Sequence, residues 1–356
     1  MNEPPSTDAR PPQRPTRRLW ARLCLALGAS LLAFGCLELV LRTFFPLHKV
    51  GGVIGLYQYD EELGDRLRPG VHFLRTTDHQ EEIHTNQLGT ANFQETFAPY
   101  ERIVFALGDS YTQGTGLPAD ASYPFQLDLQ LNLQDAAYRP TYGIVNLGLS
   151  AYGLEQAMIC LRRYTPIVGQ PTYILYLGCD NDYVDDLEFR RGDRHRHLTE
   201  GNPRYGMWLK PLQWLTVDCE VGARLKYTLR TLQRRRQLDQ WEHQDSDLQT
   251  QCPAAIQAPA LERLLEASSQ LGATLVVSWA DFPDDSSSSY YWLREWARAH
   301  DVRFADWHGR VQSVCAAIDG LPTENPHSGG HHRTWVNTVI ATSFAEQIQA
   351  ADHPQN

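Results

Sequence analysis

The apolar and polar positions divide the chain into distinct regimes. Residues 1–18, MNEPPSTDARPPQRPTRR, are polar, proline-rich and basic, with too few apolar side chains to build a core. Residues 19–45 are the reverse: between Arg22 and Arg42 the only charge is Glu38. A run of that length predicts a helix able to cross a bilayer, which takes about 20 apolar residues. From Arg102 onward, short apolar runs alternate with amphipathic ones. RIVFALG, YGIVNLG, PTYILYLG, ATLVVSWA and VRFADW predict strands. YPFQLDLQLNL, LEQAMICLRRYT, ALERLLEASSQLG, YYWLREWARAH and TWVNTVIATSFAEQI predict helices, the last with Val336, Ile340, Phe344 and Ile348 on one face. Near-continuous apolar strands in β-then-α order predict a parallel sheet covered on both faces, a three-layer α/β/α sandwich.

Two stretches break this pattern. Residues 46–101 are rich in turn formers and predict an extended collar on the main domain. Residues 187–255 interrupt the α/β units; within them ARLKYTLRTLQRRRQLDQWEHQ predicts a basic amphipathic helix. Such a helix suits a solvated domain edge, a lid, or a contact with anionic headgroups or an acidic glycan. The expected layout is a disordered basic tail over 1–18, a membrane anchor over 19–45, a collar over 46–101 and a main α/β domain over 102–350 carrying the insert 187–255.

Charge changes the picture in two ways. A formal net charge of −10 over 356 residues argues against nucleic acid as a partner. Arg10, Arg14, Arg17, Arg18 and Arg22 precede the apolar run, which places the N-terminus in the cytoplasm and everything after about residue 46 outside it. Trp20, Phe44 and Phe45 stand where interfacial aromatics are favoured. The run has no clean small-x-small cleavage site, so an uncleaved signal-anchor is expected. Outside the cytoplasm Cys219 and Cys252, which flank a polar helical segment, are expected to pair; Cys160, Cys179 and Cys315 lie in apolar contexts that suit buried thiols. Nothing in the pattern sets an oligomeric state.

Three strands end in polar turns, LGDS, NLGLS and LGCDND. Ligands of open parallel sheets bind at the carboxyl ends of the strands, so these turns mark the candidate site. Ser110 can be a helix cap or a nucleophile. Gly148 can be a turn glycine or offer its N–H to an oxyanion. Asn181 can be a turn residue or an uncharged oxyanion donor. A nucleophilic serine needs a base, and the base an orienting carboxylate. The late loop LPTENPHSGGHHRTW supplies Glu324 and His327 at E-x-x-H spacing. The same cluster could instead hold a metal or cap a helix, although adjacent His331 and His332 would diverge on a helix.

In this order, GDS with a following Thr and Gly, N-x-G-x-x-x-x-G, N-D after the third strand and a late acid-x-x-His resemble the SGNH, or GDSL-type, esterase and acyltransferase superfamily. The collar stretches YDEELGDRLRPG and TNQLG resemble those of membrane-anchored bacterial members. The resemblance implies Ser110 as nucleophile, His327 as base and Glu324 as its acid. It implies an oxyanion hole from the Ser110 and Gly148 N–H groups and Asn181. It implies no metal or organic cofactor, an acyl ester or acylated envelope glycan as substrate, and a domain outside the bacterial cytoplasmic membrane. Hydrolysis is the default outcome; O-acyl transfer or deacetylation on an envelope glycan, or glycan binding without turnover, are the alternatives. Two departures stand out. GCDND has one residue more than the usual third block, and the last block has Glu in place of Asp and a short step to the following Gly-His pair. Asp319 therefore remains a second candidate acid and His331 a second candidate base, even though His331 and His332 are expected to begin the last helix.

Overall fold

A computed structural model of the chain describes residues 17–45, 55–75, 81–133, 140–192, 208–215, 219–226, 228–229, 232, 252–282, 288–325 and 330–353. It forms two units, Met1–His48 with Gln213–Gln233, and Lys49–Leu212 with Arg234–Asn356.

The first unit is built on α1, Arg17–Phe44. Its segment Leu19–Phe44 has a mean hydropathy of 2.2 and is unburied within the structure, so it has the length and composition to cross a membrane. Glu38, the one acid in the apolar run, is not left bare. It accepts from Arg42 one turn on at 2.9 Å, and from the backbone N–H groups of Glu220 at 2.9 Å and Val221 at 3.0 Å. The expected Cys219–Cys252 disulfide is not present; both are free thiols. Cys219 is instead turned toward Glu38, donating to Oε2 at 3.4 Å and accepting from the Gly222 N–H.

The second unit is a three-layer α/β/α sandwich. Its sheet is five parallel strands in the order β6-β5-β7-β8-β9: β5 Arg102–Gly108, β6 Tyr142–Asn146, β7 Tyr173–Gly178, β8 Thr274–Trp279 and β9 Arg303–Phe304. Alternate residues of each strand feed two cores. Ile103, Phe105 and Leu107 pack with α4 (Leu154–Val168), α6 (Ala258–Gln270) and α7 (Ser288–Ala299). Val104 and Ala106 pack with α3 (Tyr123–Asn132), α8 (His308–Ala317) and α9 (Thr334–Asp352). The strands are near-continuously apolar because both faces are covered.

Residues 55–100 carry two antiparallel ribbons, β1 Tyr57–Asp60 with β2 Gly64–Leu67, and β3 His72–Arg75 with β4 Glu81–His84. Leu56, Leu63, Leu67, Ile83 and Phe97 join the core beneath α4. From β5 the chain steps to β6 on one side and to β7 on the other. That reversal opens a crevice at the carboxyl end of β5, which is where Gly-Asp-Ser emerges.

Candidate active site

The crevice begins with a backbone only glycine can supply. Gly108 ends β5 at φ +149°, and a Cβ there would stand 2.3 Å from Thr112 Oγ1 and 2.7 Å from the Leu177 carbonyl oxygen. The chain turns at once into the single-turn helix α2, Ser110–Gln113, which closes on Gly114 in the left-handed conformation. Buried Asp109 caps it: Oδ1 accepts the Tyr111 N–H and Oδ2 accepts the Ser110 hydroxyl, both at 2.9 Å. Ser110 is half-buried at the mouth.

The imidazole on Ser110 belongs to His331, whose Nε2 lies 2.7 Å from Oγ. The single hydroxyl hydrogen therefore has two acceptors within reach, Asp109 Oδ2 and His331 Nε2. His327 lies outside the described residues. Contrary to expectation, His331 and His332 do not open the last helix, which starts at Thr334. They lie on an extended segment paired with residues 323–325: the Asn325 N–H donates to the His331 carbonyl, the Arg333 N–H to that of Thr323, and Glu324 bridges to His332. Extended backbone turns successive side chains to opposite sides. His331 therefore reaches the serine while His332 is buried, its ring edge-on to Trp307 and Phe282.

At the end of β8, three consecutive carbonyls each receive a ring N–H. Trp307 donates to Trp279 at 3.0 Å, His332 Nε2 to Ala280 at 2.8 Å and His308 Nε2 to Asp281 at 2.9 Å. A carbonyl can only accept, so both imidazoles are the Nε2–H tautomer. Burial pushes both down to about 4, which keeps them neutral. They are the packing that fixes the segment bearing His331. Tyr111 completes it, its ring 5.0 Å from that of His331 and 4.9 Å from that of His332. Burial raises the Tyr111 phenol above its ordinary range, with Asp281 adding to the effect.

Gly148 stands two residues beyond β6, so close to α2 that a Cβ would fall 2.5 Å from Thr112 Cβ. Its N–H, however, donates to Asn146 Oδ1 at 3.0 Å, while Asn146 Nδ2 donates to the Thr112 carbonyl. Asn146 is thus a clamp between β6 and α2. Asn181 precedes α5 (Asp182–Arg190) at the end of β7 and gives one amide hydrogen to Asp185 Oδ2 at 3.0 Å. Among the described residues, no acceptor takes the Ser110 N–H. Glu324 is exposed, with Oε2 3.8 Å from where a Cβ on Gly330 would sit. Asp319 is exposed in the turn after α8.

Among the described residues, two clusters of ligand-type side chains stand out. Asp109, Cys179 and Asp182 are buried beneath it. Tyr176 O–H and the Cys179 N–H donate to Asp182 Oδ2, and the Cys179 thiol lies 3.0–3.2 Å from oxygens of Asp109, Asn181 and Asp182. Burial, and then the neighbouring Asp109, pushes the Asp182 carboxyl well up. That makes the group a proton-holding network beneath Ser110. His72, Glu82 and His84 meet on one face of the β3–β4 ribbon, both Nε2 atoms on Glu82 Oε1 at 2.7 and 3.2 Å. The two rings stack at 4.0 Å with planes 17° apart. His72 and His84 are register partners across the ribbon, so the trio is a cross-strand pair sharing one carboxylate oxygen.

The strand-end turns are what direct the sequence reading to Ser110, Gly148 and Asn181. It did not single out Asp109 as the serine's second partner, or Tyr111 and His332 as the packing around His331. The N-x-G spacing was the available signal for the Asn146 clamp. No family model matches the chain, and no curated protein matches it. Among solved structures, the chain is similar to a member of the lipolytic protein G-D-S-L family from Veillonella parvula. The identity is 10%, with a TM-score of 0.41, over 70% of this chain and 98% of that one. It is similar to the psychrotrophic esterase EstA from Pseudoalteromonas sp. (11% identity, TM-score 0.40, 71% and 99% covered) and to an acetylxylan esterase from Geobacillus stearothermophilus (12%, 0.38, 70% and 94%). At these values the likeness carries no functional weight, and the functional reading rests on the residues.

Proposed function

We propose that the protein is a serine-dependent acyl-ester hydrolase, held at a membrane by α1 with the sandwich outside the cytoplasm. The observation that carries this reading is the 2.7 Å contact between His331 Nε2 and Ser110 Oγ at the carboxyl end of β5. In the proposed reaction Ser110 Oγ attacks the ester carbonyl carbon and its proton passes to His331 Nε2. The developing oxyanion is held by the Ser110 N–H and the second Asn181 amide hydrogen. Gly148 serves by having no side chain rather than by donating, because its N–H is given to Asn146. His331 then protonates the leaving alkoxide, accepts a proton from water, and the acyl-serine is hydrolysed. Glu324 bridges through its backbone to His332, whose side chain turns away from that of His331, so this pairing does not aim Glu324 at the base and no orienting carboxylate is assigned to it. The engaged Gly148 and Asn181 donors favour a second reading, a crevice that binds an acylated glycan without turnover.

A fluorophosphonate probe followed by peptide mapping separates the two. Covalent labelling of Ser110, with p-nitrophenyl ester turnover that Ser110→Ala abolishes, supports the hydrolase. A chain that stays unlabelled and inactive while binding acylated sugar supports the second reading.

A further inference from the structure

Glu38 is the feature of the first unit that the proposed chemistry leaves unexplained. A carboxylate within an apolar span is costly and persists when something pairs with it. Here its two oxygens take the N–H groups of Glu220 and Val221, the first residues of a helical segment over 220–226; residues 228, 229 and 232 are helical as well. Glu38 thus acts as the N-cap acceptor of another segment's helix. It lies six residues before the end of α1, about 9 Å along the axis, so the second helix starts inside the outer edge of the span.

The second helix divides cleanly by face. Cys219, Glu220 and Ala223 are buried. Leu225, Leu229 and Leu232, spaced i, i+4, i+7, form one stripe and are 59%, 50% and 49% exposed. Arg224 and Lys226 flank that stripe at about 100° on either side. Trp214 and Leu215, just before the helix, are also exposed, as are Leu39 and Phe44 on α1. An apolar stripe edged by long cationic side chains is the form of a helix lying in a membrane interface.

We infer that the exposed apolar face formed by Trp214, Leu215, Leu225, Leu229 and Leu232 lies in the outer interface of the bilayer that α1 crosses, tethered there by Glu38. The bilayer is the occupant because the exposed leucines belong to the same compact unit as the exposed apolar surface of α1. The inference rests on α1 being a membrane span. Its test uses the full chain in phosphatidylcholine–phosphatidylglycerol vesicles that carry a diazirine-tagged phosphatidylcholine. After photolysis, mass spectrometry maps the labelled peptides. Label on both α1 and the 220–232 peptide is the expected result. Label on α1 alone would overturn the inference and leave the anchor standing; label on neither would overturn both. In Glu38→Ala, label at 220–232 should fall about fivefold relative to α1, the change expected when a helix loses its N-cap acceptor. Unchanged label at 220–232 in that variant would overturn the tether.

Discussion

At the scale of single residues, two adjacent histidines do opposite work because extended backbone sends them to opposite sides. His331 reaches Ser110, and on the hydrolase reading His331→Ala should lower kcat by at least ~10³, the scale of losing a general base. His327→Ala should leave most activity, and ester kinetics on the two variants decide between them. The reverse pattern would return the base to His327. His332 titrates with a sign of its own. It stays neutral in the fold down to about 4, whereas the unfolded chain takes up its proton near 6.5. Its contribution is therefore intact above 6.5 and is lost as pH falls toward 4. His332→Gln, which keeps a donor for the Ala280 carbonyl, should remove that loss. Urea unfolding should show the stability gap between parent and variant closing by about 3 kcal/mol from pH 7 to pH 4. The buried carboxyls of Asp128, Asp186 and Asp281, raised to about 6, slope the other way, but both proteins share them. A gap constant with pH would rule out a neutral buried His332.

At the scale of elements, the turn from β5 into α2 sets the site's precision. Gly108→Ala forces a Cβ against Thr112 and the Leu177 carbonyl at φ +149°, a strain on the order of 3 kcal/mol. Gly309→Ala, inside α8 with open space around it, should instead gain about 0.5–1 kcal/mol. Thermal melts of the two distinguish a strained turn from a general intolerance of alanine. This turn also shows what the sequence made legible. The apolar period named all five strands, and the Gly-containing turns named where three of them point, because both signals are local. The two antiparallel ribbons leave no such signal: their strands are four residues each, too short for alternation to emerge from turn-rich sequence. His331 was legible only as an alternative. What takes it off the helix is pairing with 323–325, and the strand that supplies those bonds has no periodic signature.

At the scale of the whole sandwich, the last helix locks the sheet. Asp352, at the end of α9, accepts the Tyr142 and Tyr173 hydroxyls and pairs with Arg102, residues at the amino ends of β6, β7 and β5. Asp352→Ala leaves these donors without their shared carboxylate and should cost about 2–3 kcal/mol. Chemical denaturation would show this as a lower midpoint with unchanged slope, whereas a changed slope would mean local fraying of α9 instead. The span between Ser110 and His331 has a further consequence, in time rather than in space. The two are 221 residues apart in the chain. At roughly 5–20 residues per second, the serine is made some 10–45 s before its imidazole. On the hydrolase reading, the chain on its way through the membrane carries a nucleophile with no base, so esters it meets before its last helix docks are left intact.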